Sequence, residues 1–344
     1  QRVVIDDGID TEFDRPAMLQ LASLYEDSGD YDMALQWYRL FLAQSPGYDD
    51  RALAHYRIGR TFEGRGDTES AKRSYAEAVE EYPRSRHSHD ALVRGRKLSR
   101  AFADRYHQGL VLYNRKRYQD AVEFFTYYLR HDKEREFEHE ASYFLGRSHQ
   151  RRGEFRSAAR KFEDATESGP DAEYYDLAWS KLAYCRRASG KLEQSLDTYE
   201  HFAVTHPDRE AAPDLLWEKA RLLEEKGRWD EAGAEFSRIV GAYSTSPRGD
   251  DALFRVGLCL YKLDNYAGAA AVFAGVSSHE SGEVAARALF WSGKCMERLS
   301  GNGAAVAAYE EATEAAPDSY YAARARARLR ELGHLPTANA PRTR

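Results

Sequence analysis

A small residue followed sixteen positions later by an aromatic one recurs eight times along this chain, always in the same phase. The small residues, taken as anchors, are Ala22, Gly59, Gly109, Gly146, Ala183, Ala220, Gly257 and Gly293. They are separated by 37, 50, 37, 37, 37, 37 and 36 residues. Twelve positions after each anchor comes a second small residue: Ala34, Ala71, Ala121, Ala158, Ser195, Ala232, Ala269 and Ala305. Sixteen after come Tyr38, Tyr75, Phe125, Phe162, Tyr199, Phe236, Phe273 and Tyr309. Twenty-four after, proline stands in five of the eight units, at Pro46, Pro83, Pro170, Pro207 and Pro317. A period in the range of 20–50 residues is the mark of a stacked array, and it restricts the fold before any single residue is weighed.

The unit from Gly146 to Pro170 shows what the period encodes. The second small residue and the aromatic are four apart, so they share one face of a helix. The small side chain lets a paired helix approach, and the aromatic fills the space beside it. Turns such as Ser28-Gly29-Asp30, Arg152-Gly153 and Lys226-Gly227-Arg228 separate two helices, with glycine supplying the left-handed backbone. Proline then ends the second helix. One such hairpin cannot bury its apolar face alone, so neighbours must stack on it. A chain of 344 residues, 42% hydrophobic and 31% charged with only 10 prolines, suits amphipathic helices in an elongated array and disfavours disorder.

The small–aromatic–small–proline succession resembles the tetratricopeptide repeat over residues 16 to 317. That resemblance implies an all-α, right-handed superhelical solenoid of about eight helical hairpins closed by a C-terminal capping helix. The units are about three residues longer than the usual form, which resembles repeats of the bacterial envelope. The expected organisation is a lead-in over 1–15, repeats one and two over 16–83, and an insertion over 84–108. Repeats three to eight follow over 109–317, then a capping helix over 318–332 beginning at Asp318 or Ser319 and a mobile tail over 333–344. The insertion explains the spacing of 50: Gly95 lies 36 after Gly59, and Gly109 comes 14 later. Fourteen residues fall only about 40° short of four helical turns, which keeps nearly the same face inward. The spacing predicts a longer helix, or one extra short helix, between Ser88 and Asn114.

Composition excludes several chemistries. A formal net charge of −6 argues against a general nucleic-acid or anionic-membrane surface. No apolar run of about 18 residues exists to span a membrane. The chain opens at Gln1 without a signal peptide, as expected of a processed or trimmed product. Three cysteines, Cys185, Cys259 and Cys295, each sit two residues after an anchor, which marks them as small buried fillers rather than a disulfide framework. His87 and His89, and His201 and His206, lack the spacing or the partners of a metal set. There is no glycine-rich phosphate loop and no nucleophile elbow, so no cofactor, metal or catalytic residue is expected.

In the repeat family that the chain resembles, first helices line an inner groove through positions three before, one after and four after each anchor. Carried onto this sequence, three before gives Tyr56, Tyr106, Tyr143, Trp217, Phe254 and Phe290 among its aromatic members. One after gives Arg60, Arg147, Tyr184, Arg221 and Lys294, and four after adds Tyr261. Units two, four, six and eight thus pair an aromatic with a cation four residues apart, a pattern able to stack on and charge-pair with an extended peptide or a glycan. Glu63, Glu224 and Glu297, three beyond Arg60, Arg221 and Lys294, are placed for intrahelical ion pairs. Arg147 has Gln150 there instead, so Arg147 with Tyr143 is the foremost binding candidate.

Residues 287 to 329 open with RALFW and close with SYYAARA, and there the chain resembles the final helical segment of soluble periplasmic lytic transglycosylases. The glutamate–serine catalytic signature of those enzymes is absent, since Glu69-Ser70, Glu167-Ser168 and Glu280-Ser281 lack its context. The expectation is a non-catalytic interaction superhelix of the bacterial periplasm or envelope, the arm of a transglycosylase-like protein acting on peptidoglycan. The parent protein would then carry its catalytic domain elsewhere. The alternative is an adaptor, cytosolic or periplasmic, that binds an extended peptide of a partner protein.

Overall fold

The computed structural model describes residues 14–334 apart from 45, 133 and 135, and is all-α: among the described residues there are eighteen helices and no strand. Residues 1–13 of the expected lead-in and 335–344 of the expected tail lie outside the described residues. The first compact unit, residues 1–192, contains α1 (Asp14–Ser28), α2 (Tyr31–Ala43), α3 (Tyr48–Arg65), α4 (Thr68–Glu81) and α5 (Arg86–Leu98). It continues with α6 (Arg105–Asn114), α7 (Tyr118–His131), α8 (Glu138–Arg151), α9 (Phe155–Thr166) and α10 (Tyr175–Ala188). The second unit, residues 193–344, takes in α11 (Leu192–Thr205) from its second residue. After it come α12 (Ala212–Glu225), α13 (Trp229–Ala242), α14 (Gly249–Lys262), α15 (Tyr266–His279), α16 (Gly282–Leu299), α17 (Asn302–Ala315) and α18 (Tyr320–Glu331).

Within each unit the helices pair as hairpins, and each hairpin packs on the next. The anchors are the points of closest approach. A Cβ added to Gly59 would lie 2.5 Å from the Tyr75 ring, one on Gly109 2.7 Å from Phe125, and one on Gly257 2.6 Å from Phe273. The aromatic sixteen residues on therefore lies flat against bare backbone, and any larger anchor has to displace a ring in a close-packed interior. Ala158 and Phe162, four apart on α9, are fully buried together. The residue seven after the anchor turns the chain in the left-handed region: Gly29, Gly66, Gly153, Gly190 and Gly227 all have positive φ. In units three and seven the same position is taken by Lys116 (φ 61°) and Asp264 (φ 58°), where an L side chain adopts a conformation it disfavours.

The insertion resolves into one extra first-type helix. The α5 helix follows the expected 36-residue step, but instead of a second helix it has a six-residue link, 99–104, running straight into α6. Phe102 in that link lies on Gly95 as Tyr75 lies on Gly59, so α5 and its link form a repeat without its second helix. The capping helix α18 begins at Ser319, whose hydroxyl accepts from the Ala322 amide at 3.1 Å. The three cysteines are free and buried, and burial pushes each thiol up to about 12. Among the described residues no helix is long and apolar enough to cross a membrane.

Candidate functional site

A buried phenol needs a hydrogen-bond partner, and a buried ring without a hydroxyl does not. The residue four after the anchor obeys that rule in six of the eight units, the exceptions being Arg187 with Tyr199 and Glu224 with Phe236. It is glutamate in units one, two, six and eight: Glu26, Glu63, Glu224 and Glu297. Three of these accept from the tyrosine of their own unit, Tyr38 to Glu26 at 2.9 Å, Tyr75 to Glu63 at 2.7 Å and Tyr309 to Glu297 at 2.7 Å. Where that residue is uncharged (Tyr113, Gln150, Tyr261) the aromatic is phenylalanine: Phe125, Phe162 and Phe273. The correlation is visible in the sequence, but only to a reader who compares two columns of the repeat with each other.

The same glutamates hold cations of the helix after next, which is the first helix of the succeeding unit, the α5 helix or the cap. Glu26 pairs with Arg57 at 3.5 Å and Arg60 at 3.3 Å; Glu63 pairs with Arg94 at 3.0 Å; Glu224 pairs with Arg255 at 3.4 Å; Glu297 pairs with Arg328 at 2.8 Å. Arg60 was expected to pair with Glu63 on its own helix, and the structure corrects this. Glu63 is taken up by Tyr75 and Arg94, so Arg60 turns back to Glu26. The intrahelical pairs Arg221–Glu224 and Lys294–Glu297 do form.

Arg147 on α8 is the exception. It stands where Arg60 stands in unit two, but the residue four after the preceding anchor is Tyr113, and its own third neighbour is Gln150. No carboxylate among the described residues pairs with it. Its Nη1 donates to the Tyr143 hydroxyl at 2.9 Å, its guanidinium carbon lies 5.8 Å from the Tyr143 ring centre, and its Nε is buried without a hydrogen-bond partner. Burial works against the charge; Tyr143 and Tyr113 more than offset it, and the guanidinium pKa is raised. Aromatic rings wall the place: Tyr113 meets Tyr118 at 5.6 Å and Phe144 at 5.2 Å, and Tyr143 stacks on Tyr174 at 4.6 Å. The result is a half-buried cation with a free donor edge, in an aromatic setting, lacking an anion.

The other expected residues divide into two groups. Tyr106, Tyr143, Phe254 and Phe290 were expected to face a groove, and the structure corrects this: all four are at most 5% exposed. Each is covered by something arriving from the following segment. Phe137 stacks on Tyr106 at 4.7 Å, Tyr174 stacks on Tyr143, Arg287 lies 4.0 Å over Phe254, and Arg324 lies 5.5 Å over Phe290. Trp217 is half-buried beneath Arg248 in the same manner, at 5.1 Å. Tyr56 is half-buried at 6.2 Å from Tyr75, and Tyr261 is half-buried at 5.2 Å from Trp291. Arg60, Arg221 and Lys294 are held by the glutamates above. Tyr184 keeps an open face, 39% exposed. Among the described residues no group of three or more His, Cys, Asp or Glu side chains could hold a metal ion.

Stacked helical hairpins with an anchor glycine under an aromatic ring define an all-α repeat scaffold. Tetratricopeptide repeat models match residues 14–83, and again 56–136, 143–210, 180–247 and 218–282, so the chain belongs to the tetratricopeptide repeat family. No curated protein matches it in a sequence comparison. Among solved structures, it is similar to a chain in Naa15/Naa10 bound to HypK-THB, with TM-score 0.50 and 14% identity, covering 94% of this chain and 45% of that one. It thus spans under half the length of that relative. It is also similar to YrrB, described as a tetratricopeptide repeat protein with an unusual peptide-binding site (TM-score 0.41, 18% identity, 60% of this chain and 99% of that one). A third is a tetratricopeptide repeat protein from Parabacteroides merdae (TM-score 0.35, 14% identity, 80% and 97%). At such identities the likeness speaks to fold alone.

Proposed function

We propose that this chain is a non-catalytic scaffold that binds an extended segment of a partner protein, and that Arg147 reads an acidic side chain of that segment. The observation that carries the reading is the missing carboxylate. Four junctions of the same frame close a cation on a glutamate; the junction before Arg147 has Tyr113 for the glutamate and Phe144 for the cation 31 residues on, yet keeps Arg147 at the position where Arg60 meets Glu26. A guanidinium binds a carboxylate through parallel N–H···O bonds, and the half-buried setting strengthens such a bond relative to open water. Tyr113 and Tyr118 offer apolar contact beside it.

The test is fluorescence polarisation against an array of labelled 15-residue peptides. Peptides that bind should carry Asp or Glu, and Arg147→Ala should weaken them by about tenfold, the scale of one good charge-assisted pair. Tyr113→Glu should do the same by supplying the anion internally. Binding indifferent to both variants would overturn the assignment.

The peptidoglycan reading has narrower support: the resemblance of residues 287–329, which together with the longer repeat unit is all that favours an envelope location. Its diagnostic residues serve packing here, with Phe290 buried under Tyr321 at 5.8 Å and Ala322 and Ala325 buried on α18. The repeat match ends at residue 282 and adds nothing for that segment. We therefore favour the peptide. Co-sedimentation with purified peptidoglycan sacculi distinguishes the two, since binding there that survives Arg147→Ala would favour the glycan.

A further inference from the structure

We infer that the truncated repeat at α5 is a second docking surface, separate from Arg147, and that it takes an acidic segment of a partner protein. Losing the second helix brings the end of α5, the link 99–104 and the start of α6 into one short stretch against α7. That stretch is basic within an acidic chain, with Arg94 already paired to Glu63. Residues 86–105 contain Arg86, Arg94, Arg96, Lys97, Arg100 and Arg105 against Asp90 and Asp104 alone, in a protein whose net charge is −6. Asp104 is already occupied, since its carboxylate caps α6 by accepting from the Tyr106 and His107 amides.

The arrangement of the arginines singles out the place. The Arg96 guanidinium lies 4.9 Å from the Phe124 ring centre, and that of Arg105 lies 5.4 Å from the same ring and 5.0 Å from Tyr127. Two cations from opposite ends of the link thus converge on one aromatic ring. Neither forms an ion pair with a described residue. Tyr127 beside them is 50% exposed, with the His131 ring 4.6 Å away. Like charges gathered this closely repel each other, and stacking on the rings holds them in place without neutralising them. A segment rich in Asp and Glu supplies what is lacking, with Tyr127 giving it an apolar contact at the edge of the patch.

The probe is a fluorescein-labelled peptide of repeated Glu-Glu-Leu, titrated with the full chain at low and physiological salt. The double variant R96E/R105E should weaken binding by about tenfold or more, as expected when two convergent charges are reversed. R39E/R330E makes the same charge change at exposed arginines elsewhere and should weaken it less than about twofold, because separated surface charges are screened. Circular dichroism melts establish that both variants are folded. Tyr127→Ala, which leaves every charge in place, should cost a further measurable loss. Equal weakening by the two double variants would reduce the effect to diffuse attraction and overturn the proposal. So would a wild-type chain that ignores the peptide, or a single-stranded oligonucleotide that binds more tightly with the same dependence on Arg96 and Arg105. Because Arg147→Ala is silent in this assay if the surfaces are separate, failure here leaves the peptide reading of Arg147 standing, and the reverse holds as well.

Discussion

The junction between units one and two and the junction between units three and four use the same helices in the same order, yet one is closed and the other open. At the first, the Glu26 side chain is only 7% exposed and receives the Tyr38 hydroxyl, Arg57 and Arg60. The carboxylate, the phenol and both guanidinia are partnered inside the fold. At the second, Tyr113 replaces the glutamate, Phe125 of unit three brings no hydroxyl to the interior, and Arg147 has only the Tyr143 hydroxyl. The packing frame is common to both. What differs is whether the polar interior is completed by the chain or left for something else to complete. Repeat proteins can vary that choice unit by unit, because each unit contacts only its neighbours and a change at one junction does not unsettle the rest.

The largest expected effect breaks the closed side. Glu26→Ala strands two guanidinia and a buried phenol, and should lower unfolding stability in urea by about 3 kcal/mol, towards the low end for a buried pair because the arginines are partly exposed. A change under about 1 kcal/mol would mean that the closed junction owes little to its carboxylate. Next in size is Phe125→Tyr, which puts a hydroxyl into the open junction with no glutamate to receive it. It should cost about 1–2 kcal/mol, measured as a lower midpoint, while the reverse change Tyr38→Phe at the closed junction costs about 1 kcal/mol. Equal stability of Phe125→Tyr and wild type would show that an acceptor is available after all.

A third closed junction sharpens the comparison through pH. Burial pushes the Glu297 carboxyl up, but bonds from Lys294, Tyr309 and Arg328 outweigh it and hold its pKa below the ordinary carboxylate value. A carboxyl depressed in the folded state contributes its full stability above the ordinary value and loses it as pH falls through the folded one. Glu297→Gln should therefore make the acid limb of a stability–pH profile shallower, and an unchanged limb would place the pH dependence elsewhere. The smallest effect is reserved for the open side: Arg147→Ala should cost no more than about 1 kcal/mol, since it strands the Tyr143 hydroxyl but no carboxylate. A larger loss in thermal denaturation would make Arg147 a structural residue.

Much of this architecture is legible in particular residues. The glycines at 59, 109, 146, 257 and 293 announce the close approach, and the phased rings at 75, 125, 162, 273 and 309 show what fills it. The turn glycines are equally plain, whereas Lys116 and Asp264 hide theirs, because a neighbouring fold can impose a left-handed backbone on residues that do not prefer it. Gly95 was readable as a displaced anchor. Phe102 was not, since an aromatic seven residues on, in a link, has no period to betray it. The site was half legible: Arg147 was distinguished by Gln150, but Tyr113, the residue that withholds its anion, lies 34 positions away in another helix.

The sequence by itself determined the helical faces, their lengths and the stacking of hairpins, because those follow from spacing within a few turns and from the bulk of side chains at fixed offsets. Only the tertiary structure decided that Arg60 turns to Glu26 and not to Glu63, that Tyr106, Tyr143, Phe254 and Phe290 are interior, and that Arg147 is left without a carboxylate. Those outcomes depend on which side chains of successive hairpins meet across a junction. A charge there has two or three partners within reach, and the competition between them is settled by distance and burial once the helices have docked.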